Sequence, residues 1–143
     1  ASDPDAAVYY LARILESGED PMFIARRMIV FASEDVGNAE PRGLMMAIAA
    51  KDALECVGLP EARINLAHAA ISLALAKKDR AVYDAIGAAM SEVQETGALP
   101  VPMVLRNAVS SLMRAEGYGK GDPSQRLPEG MKNKKFYNPK KPT

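Results

Sequence analysis

The chain has 143 residues, 48% of them hydrophobic, and its 18 Lys/Arg balance 18 Asp/Glu. That length and apolar content suit one domain with a real core rather than a disordered chain, and no apolar run approaches the ~18 residues of a membrane-spanning helix. A single cysteine, Cys56, forbids an internal disulfide and fits a reducing compartment, and the acidic start ASDPDAAVYY lacks the basic region of a secretory leader.

The zero net charge hides an asymmetry. Residues 1–116 carry 11 Lys/Arg and 16 Asp/Glu, whereas residues 117–143 carry 7 and 2. An acidic body therefore carries a basic tail.

The body reads as helix after helix. Ser2-Asp3-Pro4-Asp5 forms a capping box with Pro in the first turn, and Val8, Leu11, Ile14 and Leu15 recur at helical spacing up to Gly18. Asp20-Pro21 opens a second helix with Phe23, Ile24, Met28 and Phe31 as its apolar set, closed by Gly37-Asn38. A third runs from about Pro41 to Val57 on Leu44, Ile48 and Leu54, and Gly58 ends it.

Pro60-Glu61 opens a fourth helix, to about Ala76. It is apolar on two sides: Ile64, Ala67, His68, Ile71 and Leu75 on one, Leu66, Ala70 and Leu73 on another. Such a helix is central or half covered by a partner. The fifth spans about 79–96 with Val82, Tyr83, Ile86, Met90 and Val93 inward. Leu99-Pro-Val-Pro102 is extended, and a sixth helix is predicted over about 103–116 with Leu105, Val109, Leu112 and Met113. No segment alternates with period two, so the fold class is all-α, a bundle of about six helices over residues 1–121 followed by a Pro/Lys-rich tail over 122–143.

Few residues invite chemistry. His68 is the only histidine and shares no helix face with Cys56, so neither a metal site nor a cysteine nucleophile is expected. Asp52 and Glu55 share a helix face and Glu34-Asp35 are adjacent, but near helix ends and beside Arg26, Arg27 and Lys51 such carboxylates serve caps and ion pairs. Gly117-Tyr-Gly-Lys-Gly121 lacks the strand, helix and Lys-Ser/Thr ending of a phosphate loop, and reads as a helix cap followed by a linker. No catalytic, cofactor-binding or metal residue is assigned.

Two surfaces remain. In the tail, Lys132, Lys134, Lys135, Lys140 and Lys141 interleave with Phe136 and Tyr137, a pattern suited to a nucleic acid or an acidic peptide. In the body, Met22, Phe23, Met28, Ile29, Val30, Phe31, Met45 and Met46 exceed what one layer of helices needs. Leu44-Met45-Met46 points apolar groups in consecutive directions, so Phe23, Met28, Phe31, Leu44, Met45 and Met46 are the candidate subunit interface. Arg26, Arg27, Glu34 and Asp35 are the candidate ion-pair network.

The segment FIARRMIVFASEDVGNAEP (residues 23–41) closely resembles the C-terminal region of the replication-associated recombination protein A (RarA/MgsA) family, whose eukaryotic relatives are the Werner-helicase-interacting ATPases. SDPDAAVYYLAR (2–13), AAKDALECVGLPEA (49–62), LALAKKDRAVYDAIGAA (73–89), TGALPVPMVLRNA (96–108), LMRAEGYGKG (112–121) and LPEGMKNKKFY (127–137) agree in the same order. Between the GYGKG and LPEG blocks the chain is shorter than the family's usual pattern.

The resemblance implies a clamp-loader-like AAA+ ATPase working in DNA replication, recombination and repair at stalled forks. ATP and Mg²⁺ would be held by domains N-terminal to this sequence, and no ATP-site residue is carried over. It further implies an α-helical domain like the clamp-loader collar that assembles a homotetramer, packing beside the ATPase domain of its own chain. DNA and single-strand-binding protein are the implied partners, in the cytoplasm and at the nucleoid, with no membrane role. The alternative function is a DNA-contacting or single-strand-binding-protein-docking module acting through the basic tail.

Overall fold

Helix α1 (Pro4–Glu16) starts where the chemistry of proline puts it. Pro4 has no N–H to lose and fits the first helical position, so Asp3 is the cap. Its Oδ1 accepts from the backbone N–H groups of Asp5 (2.9 Å) and Ala6 (3.1 Å). The cap is thus one residue later than a box led by Ser2. In the same way the Oδ1 of Asp20 accepts from the N–H of Met22 at 2.9 Å and opens α2 (Pro21–Phe31).

This computed structural model describes residues 2–141, and among them six α-helices and no strand are found. The remaining helices are α3 (Arg42–Val57), α4 (Ala62–Leu75), α5 (Ala81–Thr96) and the short α6 (Ser111–Ala115). The chain forms two compact units. One holds the residues up to Ile86 together with those from Tyr137 onward, and the other is Gly87–Phe136. The division falls within α5.

In the first unit α4 touches α1, α2 and α3 through one of its two apolar sides. The core runs through Leu11, Ile24, Ala25, Met28, Ala32, Val36, Ala47, Ala50, Leu54, Leu66, Ala69 and Leu73. Several helix faces differ from the ones the large apolar residues suggest. On α3 the buried stripe is Gly43, Ala47, Ala50 and Leu54, while Leu44 and Ile48 are exposed. On α4 it is Ala62, Leu66, Ala69 and Leu73, while Ile64 and Leu75 are exposed.

A Cβ on Gly43 would lie 3.2 Å from the Leu73 side chain, so at this point α3 and α4 pack glycine against leucine.

The predicted second helix is also interrupted. After Phe31 the backbone makes a π-helical turn (Ala32–Val36) and a 3-10 turn (Gly37–Ala39) before α3. Single π turns inside helices are often sited at functional positions.

In the second unit the predicted sixth helix is broken. Only a 3-10 turn (Met103–Leu105) precedes a stretch without helix, and α6 begins at Ser111. Arg106 is extended, its Nε donating to the Val101 carbonyl at 2.8 Å. Ser110 is extended too, and its Oγ accepts from the N–H of Met113 at 3.2 Å. A serine read as helix interior is in fact a cap.

The glycine-rich 117–121 stretch is held rather than free. The Gly119 N–H donates to the Met103 carbonyl at 2.7 Å, and the Arg106 guanidinium sits 5.5 Å from the Tyr118 ring. Met131 is buried in this unit, and the α5 side chains Met90 and Val93 are exposed rather than inward.

Candidate functional site

The π turn after α2 delivers two adjacent carboxylates to one face. They do not meet Arg26 or Arg27, which are both exposed on α2 and have no ion-pair partner among the described residues. The partner is Arg80, which the sequence reading missed. Its Nη1 lies 2.5 Å from Asp35 Oδ1 and its Nη2 lies 3.3 Å from Glu34 Oε1. The Asp35 hydrogen bond, first among several, raises the Arg80 pKa above its ordinary value. The guanidinium also stacks 4.3 Å from the Tyr83 ring centroid. Nothing in sequence spacing could pair residues 45 and 46 positions apart.

The backbone closes the same junction. The Asp79 N–H donates to the Asp35 carbonyl at 2.8 Å. Gly37 has φ +54°, and a Cβ there would lie 2.8 Å from the Asp79 carbonyl oxygen. Only glycine admits both that dihedral and that approach.

Lys78 folds back on α4. Its Nζ donates to the carbonyls of Leu73 (2.9 Å), Ala74 (3.2 Å) and Ala76, which satisfies the open C-terminal end of the helix. Burial depresses its pKa, with the Asp35 charge opposing that shift.

Residues 137–141 are strapped across this junction. The Lys140 N–H donates to Asp79 Oδ2 at 2.9 Å, and Lys140 Nζ donates to the Lys78 carbonyl at 3.3 Å. The other Asp79 oxygen accepts from the N–H of Ala81 at 2.9 Å and caps α5. These backbone donors, Lys140 first, hold the Asp79 carboxyl below its usual range. Asn38 Nδ2 reaches the Tyr137 hydroxyl at 3.4 Å. A cleft of about 490 Å³ opens here, lined by Asn38, Lys77, Tyr137, Lys140 and Lys141 among others.

The tail cations divide between the two units. Lys140, Lys141 and Tyr137 belong to the first unit. Lys132, Lys134, Lys135 and Phe136 belong to the second, where Lys134 Nζ is bound to Glu92 Oε2 at 3.0 Å. Lys132 and Lys135 are exposed and Phe136 is half-buried.

The interface candidates divide as well. Phe23, Leu44 and Met45 are exposed, Met45 at 69%. Phe31 and Met46 are half-buried. Met28 is buried in the core against its neighbours in the bundle and is withdrawn from the surface set. Met45 and Met46 line an open groove of about 670 Å³ with Ala49 and Leu75, with Glu40 and Arg42 also on its walls. That pair is bidentate, Nε–Oε1 at 2.8 Å and Nη2–Oε2 at 2.9 Å, and the Arg42 hydrogen bond lowers the Glu40 pKa to about 2.

Among the described residues no group of three or more His, Cys, Asp or Glu is arranged to hold a metal ion, and no helix is long and apolar enough to cross a membrane. Among known families, the model described as MgsA AAA+ ATPase C terminal matches residues 1–143. The chain belongs to this family.

Among its relatives is the replication-associated recombination protein A of Coxiella burnetii, 43% identical over 96% of this chain and 34% of its own length. The protein of the same name from Escherichia coli is 48% identical over 82% of this chain and 26% of its own length. The ATPase WRNIP1 of Dictyostelium discoideum is 38% identical over 95% of this chain and 17% of its own length. The MgsA C-terminal region described here thus corresponds to about a third or less of each of these longer proteins.

Proposed function

We propose that this chain is the oligomerisation domain of a clamp-loader-like AAA+ ATPase acting in replication-associated recombination, that it assembles as a homotetramer, and that it performs no chemistry itself. ATP binding and hydrolysis, with Mg²⁺, belong to the remainder of the longer protein. The family membership supports the setting.

The observation that carries the assembly role is the second unit. Among the described residues Met131 is the only buried hydrophobic residue of Gly87–Phe136. Met90, Val93, Val101, Val109 and Leu112 are each more than half exposed, Val109 at 79%. About 50 residues without a core of their own need a partner surface to be stable. A second copy of the chain supplies one, because unlike a transient partner it is always present at matching concentration.

The test is charge in place of apolar surface. Met90→Glu combined with Val109→Glu gives a smaller species with unchanged helix content by circular dichroism. An unchanged mass would remove this surface from the interface, and loss of helix content would make these residues core.

A further inference from the structure

We infer that residues 137–141 are a latch: they pin the returning end of the second unit to the first, and their release loosens residues 87–136 while α1–α4 stay ordered. The chain leaves the first unit after Ile86 and rejoins it at Tyr137, so the residues between are held at both ends. The two ends are held by different means. The outgoing end is α5 itself, one unbroken helix from Ala81 to Thr96 that crosses the division with its own backbone hydrogen bonds. The returning end has no helix, and none of residues 137–141 is buried. It is held by the hydrogen bonds from the Lys140 N–H to Asp79 Oδ2 at 2.9 Å, from Lys140 Nζ to the Lys78 carbonyl at 3.3 Å and from Asn38 Nδ2 to the Tyr137 hydroxyl at 3.4 Å. Of these the first is the shortest, and it alone has an ionised acceptor.

The seat of the latch is built without the strap. The Asp79 N–H donates to the Asp35 carbonyl at 2.8 Å, and Asp79 Oδ1 accepts from the Ala81 N–H at 2.9 Å. Arg80 beside it is tied to Glu34 and Asp35. None of these contacts uses a residue from 137 onward. An exposed segment held by a few polar bonds on such a seat opens without unfolding what it rests on.

Opening has a consequence further back along the chain. Met131 is the only buried hydrophobic residue of 87–136 among the described residues, so packing inside that unit offers little against the freedom of a released end. With the strap seated the segment is a closed loop. With the strap released it hangs from α5 alone and gains the conformations that closure denied it. The coupling runs along the covalent chain, and it holds for a single copy and for an assembly alike.

The test is hydrogen–deuterium exchange of the 143-residue chain, read peptide by peptide by mass spectrometry. Lys140→Pro removes the donor N–H and nothing from the seat. Lys140→Ala keeps that N–H and removes only the Nζ contact. Loss of one such hydrogen bond makes the open state about five- to tenfold more populated. Exchange across residues 101–136 therefore rises about five- to tenfold in Lys140→Pro, while the peptides of α1–α4 keep their rates. Lys140→Ala stays within about twofold of the unchanged chain. Light scattering on the same samples reads assembly separately: a changed mass with unchanged exchange would concern assembly and would overturn the latch.

Unchanged exchange across 101–136 in Lys140→Pro overturns the proposal. So does a rise shared equally by α1–α4, which would make residues 137–141 part of the general stability of the fold. An equal rise in Lys140→Ala overturns it as well, since the hold would then lie in the side chain.

Discussion

Gly37→Ala tests whether the π-turn junction holds the first unit together. At φ +54° and ψ −141° the position lies in a region open essentially to glycine, where another residue costs about 1–3 kcal/mol. The added Cβ would also sit 2.8 Å from the Asp79 carbonyl oxygen, a backbone atom that can yield only by moving the α4–α5 connection. That movement strains the 2.8 Å backbone hydrogen bond from residue 79 to residue 35, adding about 1 kcal/mol. The expected destabilisation is about 2–4 kcal/mol.

Gly58→Ala is the matched control. It has φ +67° and ψ −178°, but no atom lies within 4 Å of its Cβ position, so it carries the dihedral strain alone. Urea unfolding followed at 222 nm reads both, with the slope m unchanged. If Gly37→Ala is no more destabilising than Gly58→Ala, the close approach to residue 79 does not constrain the fold and the reasoning fails.

Other outcomes follow from the same structure. Leu66 is fully buried on the central helix, so Leu66→Ala costs about 3–5 kcal/mol in the same assay, whereas Ile64→Ala on the exposed side of α4 costs less than about 1 kcal/mol. The Glu40 side chain, followed by NMR, titrates near 2 in the intact chain and near its usual 4.5 in Arg42→Ala. Its folded pKa is depressed, so the stability it contributes is complete above about pH 4.5 and is lost as pH falls through about 2; Glu40→Gln flattens the acid limb of stability across that window.

The starts of α1 and α2 were legible to within a residue because they rest on local chemistry. Asp3-Pro4 and Asp20-Pro21 carry their cap acceptor and their first helical residue side by side, and the structure uses both. The buried faces of α3 and α4 were less legible. Leu44, Ile48 and Ile64 lie at helical spacing and are large, but the buried stripes run through Gly43, Ala47, Ala50 and Leu54 on α3 and through Ala62, Leu66, Ala69 and Leu73 on α4.

The break at Arg106–Ser110 was hidden by apolar residues at helical spacing, Leu105, Val109 and Leu112, all of which are exposed. Glu34 and Asp35 stand side by side in the sequence, but their partner Arg80 is brought in by the tertiary fold. The same holds for the cleft. Its tail residues Tyr137, Lys140 and Lys141 stood out as cations and an aromatic, while Asn38 and Lys77 joined them only once the strap was in place.

Assembly is read from the solution mass of the 143-residue chain by light scattering after size exclusion. A homotetramer gives a species near four times 15.4 kDa. A single species at 15.4 kDa that remains folded would contradict it, since the second unit would then be stable with its apolar surface facing water.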